Sequence, residues 1–303
     1  MSKPVALLTT GLILALGLSL VTLAGCATRS FTVETARPAA ANGNAQAAYF
    51  LATHYARGEG VPKDPFQAAR FMRAAAEKGH VRAQNNYGAY CLQGFGVKPD
   101  PTEAVAWLHR AADKGDPLAM FSLGMCYEQG LGTTPNIAAA VNWYRKSALN
   151  KQAEAAAALE RIYLNDAGAI KKNEAEAFAW AKLGSELGDA GCLNDCGFMY
   201  EHGQGTKPNL EKAGACYLAA AEKGFAHAYS NLGRLYLDAS KLKLDPVTAY
   251  KWFLVGVANG DGFSRHYLQE MDLKQMLTNA QKAAAAAAAQ SYENKQRSPK
   301  VAG

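Results

Sequence analysis

Between Ala45 and Asp261, apolar and small residues return at three- and four-residue intervals, in runs roughly a dozen long broken by glycine-rich polar stretches. One set of runs reads "YFLATHYARGEG", "NNYGAYCLQGFG", "FSLGMCYEQGLG", "AALERIYLNDAG", "LNDCGFMYEHGQG" and "SNLGRLYLDASK". In four of the six, a small residue and a tyrosine sit four positions either side of a recurrent Leu, on one face of a helix. The alternate runs, such as "AVAWLHRAADKG", "AFAWAKLGSELG" and "AYKWFLVGVANG", set one large side chain among alanines. Phe71, Trp107, Trp143, Trp180 and Trp252 take that place. These runs predict a second amphipathic helix, small where a neighbouring helix must approach. Gly-x-Gly followed by Pro or Asp punctuates the pair, a turn that needs positive φ and then stops. Each unit is therefore expected to be a helix hairpin.

The units keep a fixed period. Gly58, Gly94 and Gly130 are 36 residues apart, and Gly203 continues the frame with one extra residue. Leu123-Gly124-x-x-Tyr127-x-x-Gly130-x-Gly132, followed by Ala139, Trp143 and Ala148, resembles the Sel1-like repeat, a longer relative of the tetratricopeptide repeat. The resemblance covers six units and implies an all-α fold, a right-handed superhelical solenoid of antiparallel helix pairs. Stacking is required physically, since a single hairpin cannot bury its apolar face alone. The frame has departures. Glu160 and Asp166 replace glycines in the fourth unit, Lys151 stands where the third should end in Gly, and Ala239 replaces the loop Gly of the sixth.

The flanks divide the rest. Residues 1–25 carry Lys3, a long apolar run and Leu23-Ala24-Gly25 before Cys26, and this resembles the lipobox of bacterial lipoproteins. The resemblance implies cleavage before Cys26, lipidation of that cysteine and, with Ala27 rather than Asp following it, the outer membrane, facing the periplasm. A plain transmembrane anchor is the alternative reading. Residues 26–44 are small, polar and aperiodic and are expected to form a flexible tether spanning roughly 20–25 Å on average. The six repeats occupy 45–262. Residues 263–303 begin like a seventh first helix, run into alanines and end in a basic tail, and are expected to cap the array.

A formal net charge of +6 is mild for an array of this size and argues against nucleic acid. Cys26 aside, there are five cysteines, at 91, 126, 192, 196 and 216. Cys196 takes the Leu place and Cys216 the Trp place of the fifth unit, so the antiparallel pair would face them and a disulfide is expected there in an oxidising compartment. Cys192 is a competing partner, and Cys91 with Cys126 is a further pair. No His or fourth Cys has metal-ligand spacing, and neither a metal nor another cofactor is expected. Ser240-Lys241-Leu242-Lys243 matches the Ser-x-x-Lys of penicillin-recognising enzymes, but without their other motifs. Some cysteine-rich Sel1-like proteins have been discussed as β-lactam hydrolases, so hydrolase or penicillin binding is the alternative to a non-enzymatic scaffold. This chain lacks their cysteine pair in every unit.

By analogy with tetratricopeptide repeats, the positions left over on the first helices face a concave groove. They include Tyr49, Arg82, Asn85, Phe121, Met125, Arg161, Asn194, Phe198, His227 and Arg234. Asn can grip an extended backbone through both its N–H and C=O, and Arg pairs carboxylates. The expected partner is thus an extended or helical segment of an envelope protein, with some acidic character. The convex face or the terminal helix is the rival surface.

Overall fold

The computed structural model describes residues 31–165, 168–237 and 245–297, and among these residues it has fifteen helices and no strand. Helix α1 (Val33–Ala41) precedes the array. Six hairpins follow in order: α2 (Ala45–Arg57) with α3 (Pro65–Glu77), α4 (Val81–Gln93) with α5 (Pro101–Ala112), and α6 (Pro117–Gln129) with α7 (Ile137–Leu149). Next come α8 (Ala153–Leu164) with α9 (Glu174–Glu186), α10 (Ala190–His202) with α11 (Leu210–Glu222), and α12 (His227–Leu237) with α13 (Pro246–Ala258). Helices α14 (Gly262–Leu273) and α15 (Asn279–Arg297) close the chain. Each first helix packs most heavily on its own second helix, which in turn packs on the next first helix. This is an all-α repeat solenoid.

The capping chemistry explains why each helix starts and stops where it does. Asn44, Asp64, Asp100, Asp116, Asn136 and Asp189 each accept a hydrogen bond from a first-turn N–H through the side chain. Gly58, Gly94, Gly130 and Gly203 end first helices in the left-handed conformation. The second glycine of the loop is there for a different reason. A Cβ on Gly96, Gly132 or Gly205 would overlap the carbonyl that opens the preceding second helix, at Pro65, Pro101 and Glu174 respectively. The loops of the second, third and fifth units therefore rest on the backbone of the unit before them.

The small residue inside the first helix is matched to a side chain on the second. A Cβ at Gly88 would lie 2.9 Å from Leu108, at Gly124 2.5 Å from the Tyr144 ring and at Gly197 2.7 Å from the Tyr217 ring. Gly233 meets Phe253 in the same way. The fourth unit inverts the arrangement: Glu160 stands in register with those glycines and Ala181 with the large partners, and both are buried.

One expectation is corrected. The stretch read as a tether is helical over Val33–Ala41, capped by a reciprocal Thr32–Thr35 pair. Ala36 packs with Ala47 and Leu51 of α2, and Arg37 donates to the Tyr55 hydroxyl at 2.9 Å. Gly43, with φ 84°, lies 36 residues before Gly79, also at 84°, so α1 serves as the second helix of a half unit that covers the first hairpin. The terminal segment does not extend freely from the array. Ala285 and Ala289 of α15 are buried, and Tyr292 packs edge-on to Trp252 at 5.1 Å.

Lys151 adopts φ 67° at a place other units give to glycine. Such a conformation costs a non-glycine residue about 1 kcal/mol or more. Lys151→Gly is expected to raise the unfolding free energy by about that amount in urea titrations.

Candidate functional site

Successive first helices present their candidate residues side by side. The hydroxyl of Tyr49 accepts from Asn86 Nδ2 at 3.5 Å, and its ring stacks on His80 at 4.4 Å. Asn231 Nδ2 donates to Asn194 Oδ1 at 2.8 Å, and Asn194 Nδ2 to Asp195 at 3.1 Å. Both links bridge adjacent units at corresponding register positions. Arg82 and His227 are exposed, and Phe198 leaves 40% of its surface to solvent, its ring 4.1 Å from that of His202. Phe121 and Met125 are half-buried against the cluster that holds Tyr144. Asn85 is buried and so is withdrawn from the face; its Oδ1 accepts no hydrogen bond.

Two of the three candidate arginines are already paired, while Arg82 stays exposed. Arg234 holds Glu201 through two nitrogens at 2.6 and 2.8 Å, and the Tyr217 hydroxyl donates to the same carboxylate at 2.7 Å. Arg161 holds Glu128 at 2.6 Å, with Tyr144 donating at 2.8 Å. In both, glutamate and tyrosine come from one unit and arginine from the next, so the triads clasp neighbouring hairpins. Burial first, then the hydrogen bond to glutamate, pushes the Tyr144 and Tyr217 phenols well above their ordinary range. Glu201 has no exposed side-chain surface. The expectation that these arginines await an acidic partner is corrected, because their charge is neutralised within the chain.

The first-helix face deepens at its C-terminal end into a cleft of about 330 Å³ between α10, α12 and α14. Asn194, Phe225, His227, Asn231, Phe263 and Tyr267 line it. His227 Nδ1 donates to Asp261 Oδ1 at 2.8 Å, and Ser264 donates to Asp261 through its hydroxyl and its backbone N–H. Burial alone would raise the Asp261 pKa, but the hydrogen bonds from Ser264, His227 and Ser230 outweigh it and hold the carboxylate below its usual range. Sequence reasoning found Asn194 and His227 but missed the cleft. Its outer wall, Phe263 and Tyr267, belongs to α14, and only reading that stretch fully as a seventh first helix would have placed it.

A second polar cluster is internal. Glu160 is 3% exposed; Cys192 Sγ approaches its Oε2 at 3.5 Å, while its Oε1 has no partner. Burial chiefly, with the Asp195 charge second, raises its pKa to about 8. Burial raises Asp195 too.

The disulfide expected between Cys196 and Cys216 is not formed. Both sit in one cluster with Met199, but as free thiols, as are Cys91, Cys126 and Cys192. Burial pushes Cys196 up to about 12 and raises Cys216, which keeps both protonated and poorly nucleophilic. Among the described residues no group of three or more His, Cys, Asp or Glu could hold a metal ion, and no helix is long and apolar enough to cross a membrane. Cys26 and the Ser240–Lys243 match lie outside the described residues.

Fold and face together define a helical-repeat protein of the protein-binding kind. The Sel1 repeat profile matches residues 45–80, 81–116, 117–152, 151–189, 190–225 and 226–261, so the chain belongs to the Sel1 repeat family. Sel1 repeats are generally protein-interaction modules, and the family is typically non-catalytic. A Sel1 repeat protein from Oxalobacter formigenes is 26% identical, with a TM-score of 0.62 over 80% of this chain and all of that one. The protein c5321, a protective antigen present in uropathogenic Escherichia coli strains, is 25% identical with a TM-score of 0.51, covering 87% of this chain and 64% of its own. Chitin synthase regulator SKT5 of Malassezia restricta is 36% identical over 90 residues, which is 29% of this chain and 6% of that relative.

Proposed function

We propose that this chain is a membrane-anchored, non-enzymatic scaffold of the bacterial cell envelope that binds an extended or helical partner segment along its first-helix face. The observation that carries the reading is the composition of that face. It offers an exposed Phe198 and bridged asparagines, while Arg161 and Arg234 are already neutralised and only Arg82 of the candidate arginines stays open. A partner is therefore recognised by apolar side chains and backbone amides more than by acidic charge. The regulator and antigen among the relatives are consistent with a protein that acts by contact.

Phe198→Asp is expected to lower the partner co-purified from envelope extracts about tenfold, as removal of an aromatic anchor does. Asn142→Asp, on an exposed position of the second helix α7, is expected to leave it unchanged. Equal loss from both substitutions would remove the face from the account.

Anchoring rests on Cys26. Because α1 packs on the array, only a few residues separate Cys26 from folded structure at Phe31, at most about 20 Å of extended chain. The array is thus held against the bilayer surface. Cys26→Ser is expected to move the protein from the detergent phase to the aqueous phase in a phase-partition experiment, since buried acyl chains supply the membrane affinity. Retention in the detergent phase at full size would favour a transmembrane anchor.

A further inference from the structure

We infer that the cleft between α10, α12 and α14 receives one uncharged aromatic side chain of the bound segment, with the adjoining peptide unit held by Asn231. The inference rests on the reading that this face binds a protein segment, and adds the chemistry of one subsite.

The walls are aromatic: Phe263 is exposed, and Phe225 and Tyr267 are half-buried. Phe263 is 60% exposed, and its ring lies 5.3 Å from that of His227 at 68°, while Phe225 meets His227 at 6.1 Å and 82°. Tyr267 is fixed from behind by stacking on Phe253 at 4.9 Å. Rings set edge to face at these separations offer both faces and edges to a further ring, the arrangement aromatic pairs prefer. An exposed phenylalanine at the mouth gains most when such a ring covers it.

Charge selects among occupants. Among the described residues lining the cleft, the ionisable groups are His227 and the Tyr267 phenol. The imidazole is bound through Nδ1 to Asp261, a carboxylate that is itself buried and held by Ser264. The Asp261 carboxylate is buried and already takes hydrogen bonds from His227 and Ser264, so it is closed to an incoming ammonium, and an ammonium or carboxylate brought into the cleft would be desolvated without a partner. A neutral ring meets no such penalty.

The amide pair selects for a peptide. Asn231 spends one Nδ2 hydrogen on Asn194, leaving its second N–H and its Oδ1, one donor and one acceptor, which match the C=O and N–H of a main-chain amide. The pair also lies in line with the Asn86–Tyr49 link on the same face, the path an extended segment would follow.

The test uses the full chain in detergent and small probes, with side-chain amide and imidazole resonances of Asn194, Asn231 and His227 followed by NMR. N-acetyl-tyrosinamide and N-acetyl-phenylalaninamide are expected to shift these resonances saturably, with a Kd of about 1 mM, while N-acetyl-lysinamide, N-acetyl-aspartic acid amide and maltose do not. Phe263→Ser, an exposed change that leaves the fold intact, is expected to weaken the aromatic amides about tenfold. Asn231→Leu is expected to weaken the aromatic amides but not para-cresol, which has the ring and no amide. Saturable binding of maltose or of the charged probes in preference to the aromatic ones would overturn the inference. So would an absence of saturation up to the solubility limit, or insensitivity to Phe263→Ser. Partner capture from Phe198 with a silent cleft would sink this subsite alone and leave the binding face standing.

Discussion

Replacing Glu201 by alanine is expected to destabilise the array by about 3–5 kcal/mol, the range for breaking a buried ion pair by removing one partner. The deletion strands two groups at once. Arg234, whose side chain is only 26% exposed, loses both of its hydrogen bonds, and the buried Tyr217 hydroxyl loses its acceptor. Because stability in a solenoid is a sum of units and interfaces, the loss should be concentrated at the joint between the fifth and sixth units. Hydrogen exchange should show α11 and α12 opening first. Glu128→Ala is the internal comparison: the Tyr144 hydroxyl loses its acceptor there too, but Arg161 is 56% exposed, so water can replace its lost partner and a smaller loss of about 1–3 kcal/mol is expected. Equal effects at the two sites, in urea melts of both variants, would mean that burial does not govern these clasps.

Stability should fall as pH rises from about 4.5 to about 8, and Glu160 should account for much of the fall. Its pKa is raised from an ordinary 4.5 to about 8 in the folded chain, chiefly by burial and then by Asp195. Between those values the folded chain keeps a proton that the unfolded chain has released. The stabilisation is therefore complete below about 4.5, declines through the window and is gone above the folded value. The groups facing Glu160 are Cys192, Asp195 and the more distant Asp189, none of which supplies a cation. A shift of this size corresponds to about 3–5 kcal/mol. Glu160→Gln keeps the shape and can donate to Asp195 without ionising, so its urea midpoint should change less with pH and exceed that of the parent at pH 9. A parent and variant with parallel pH profiles would count against this assignment.

The repeat was legible because each of its signals has one structural reason that recurs. The glycines close left-handed turns or let a loop rest on the preceding helix, and the Asp and Asn residues cap helix starts. The first half helix was not legible. "VETARPAAA" has an internal Pro38 and buries only Ala36, so it has no apolar stripe. The better clue was Gly43, one period before Gly79.

At the candidate site, positions were readable but pairings were not. Arg161 and Arg234 look like open cations until one sees that each lies 33 residues after a glutamate, with a tyrosine 16 after that glutamate. That spacing occurs twice, each time with the glutamate and tyrosine in one unit and the arginine in the next. Glu160 is the converse case. Its intrusion into a glycine position is plain in the sequence, but its tolerance depends on Ala181 being small, a relation that spans two helices.

The account stands or falls on which face of the array is used, and site-directed photo-crosslinking in the native cell tests that directly. One probe replaces Phe198 on α10 and a control probe replaces Asn142 on α7, both solvent-accessible, with captured proteins read by mass spectrometry. Capture of one protein from Phe198 and not from Asn142 is the predicted result. Capture from Asn142 alone, or equally from both, would contradict the claim that the first-helix face is the working surface.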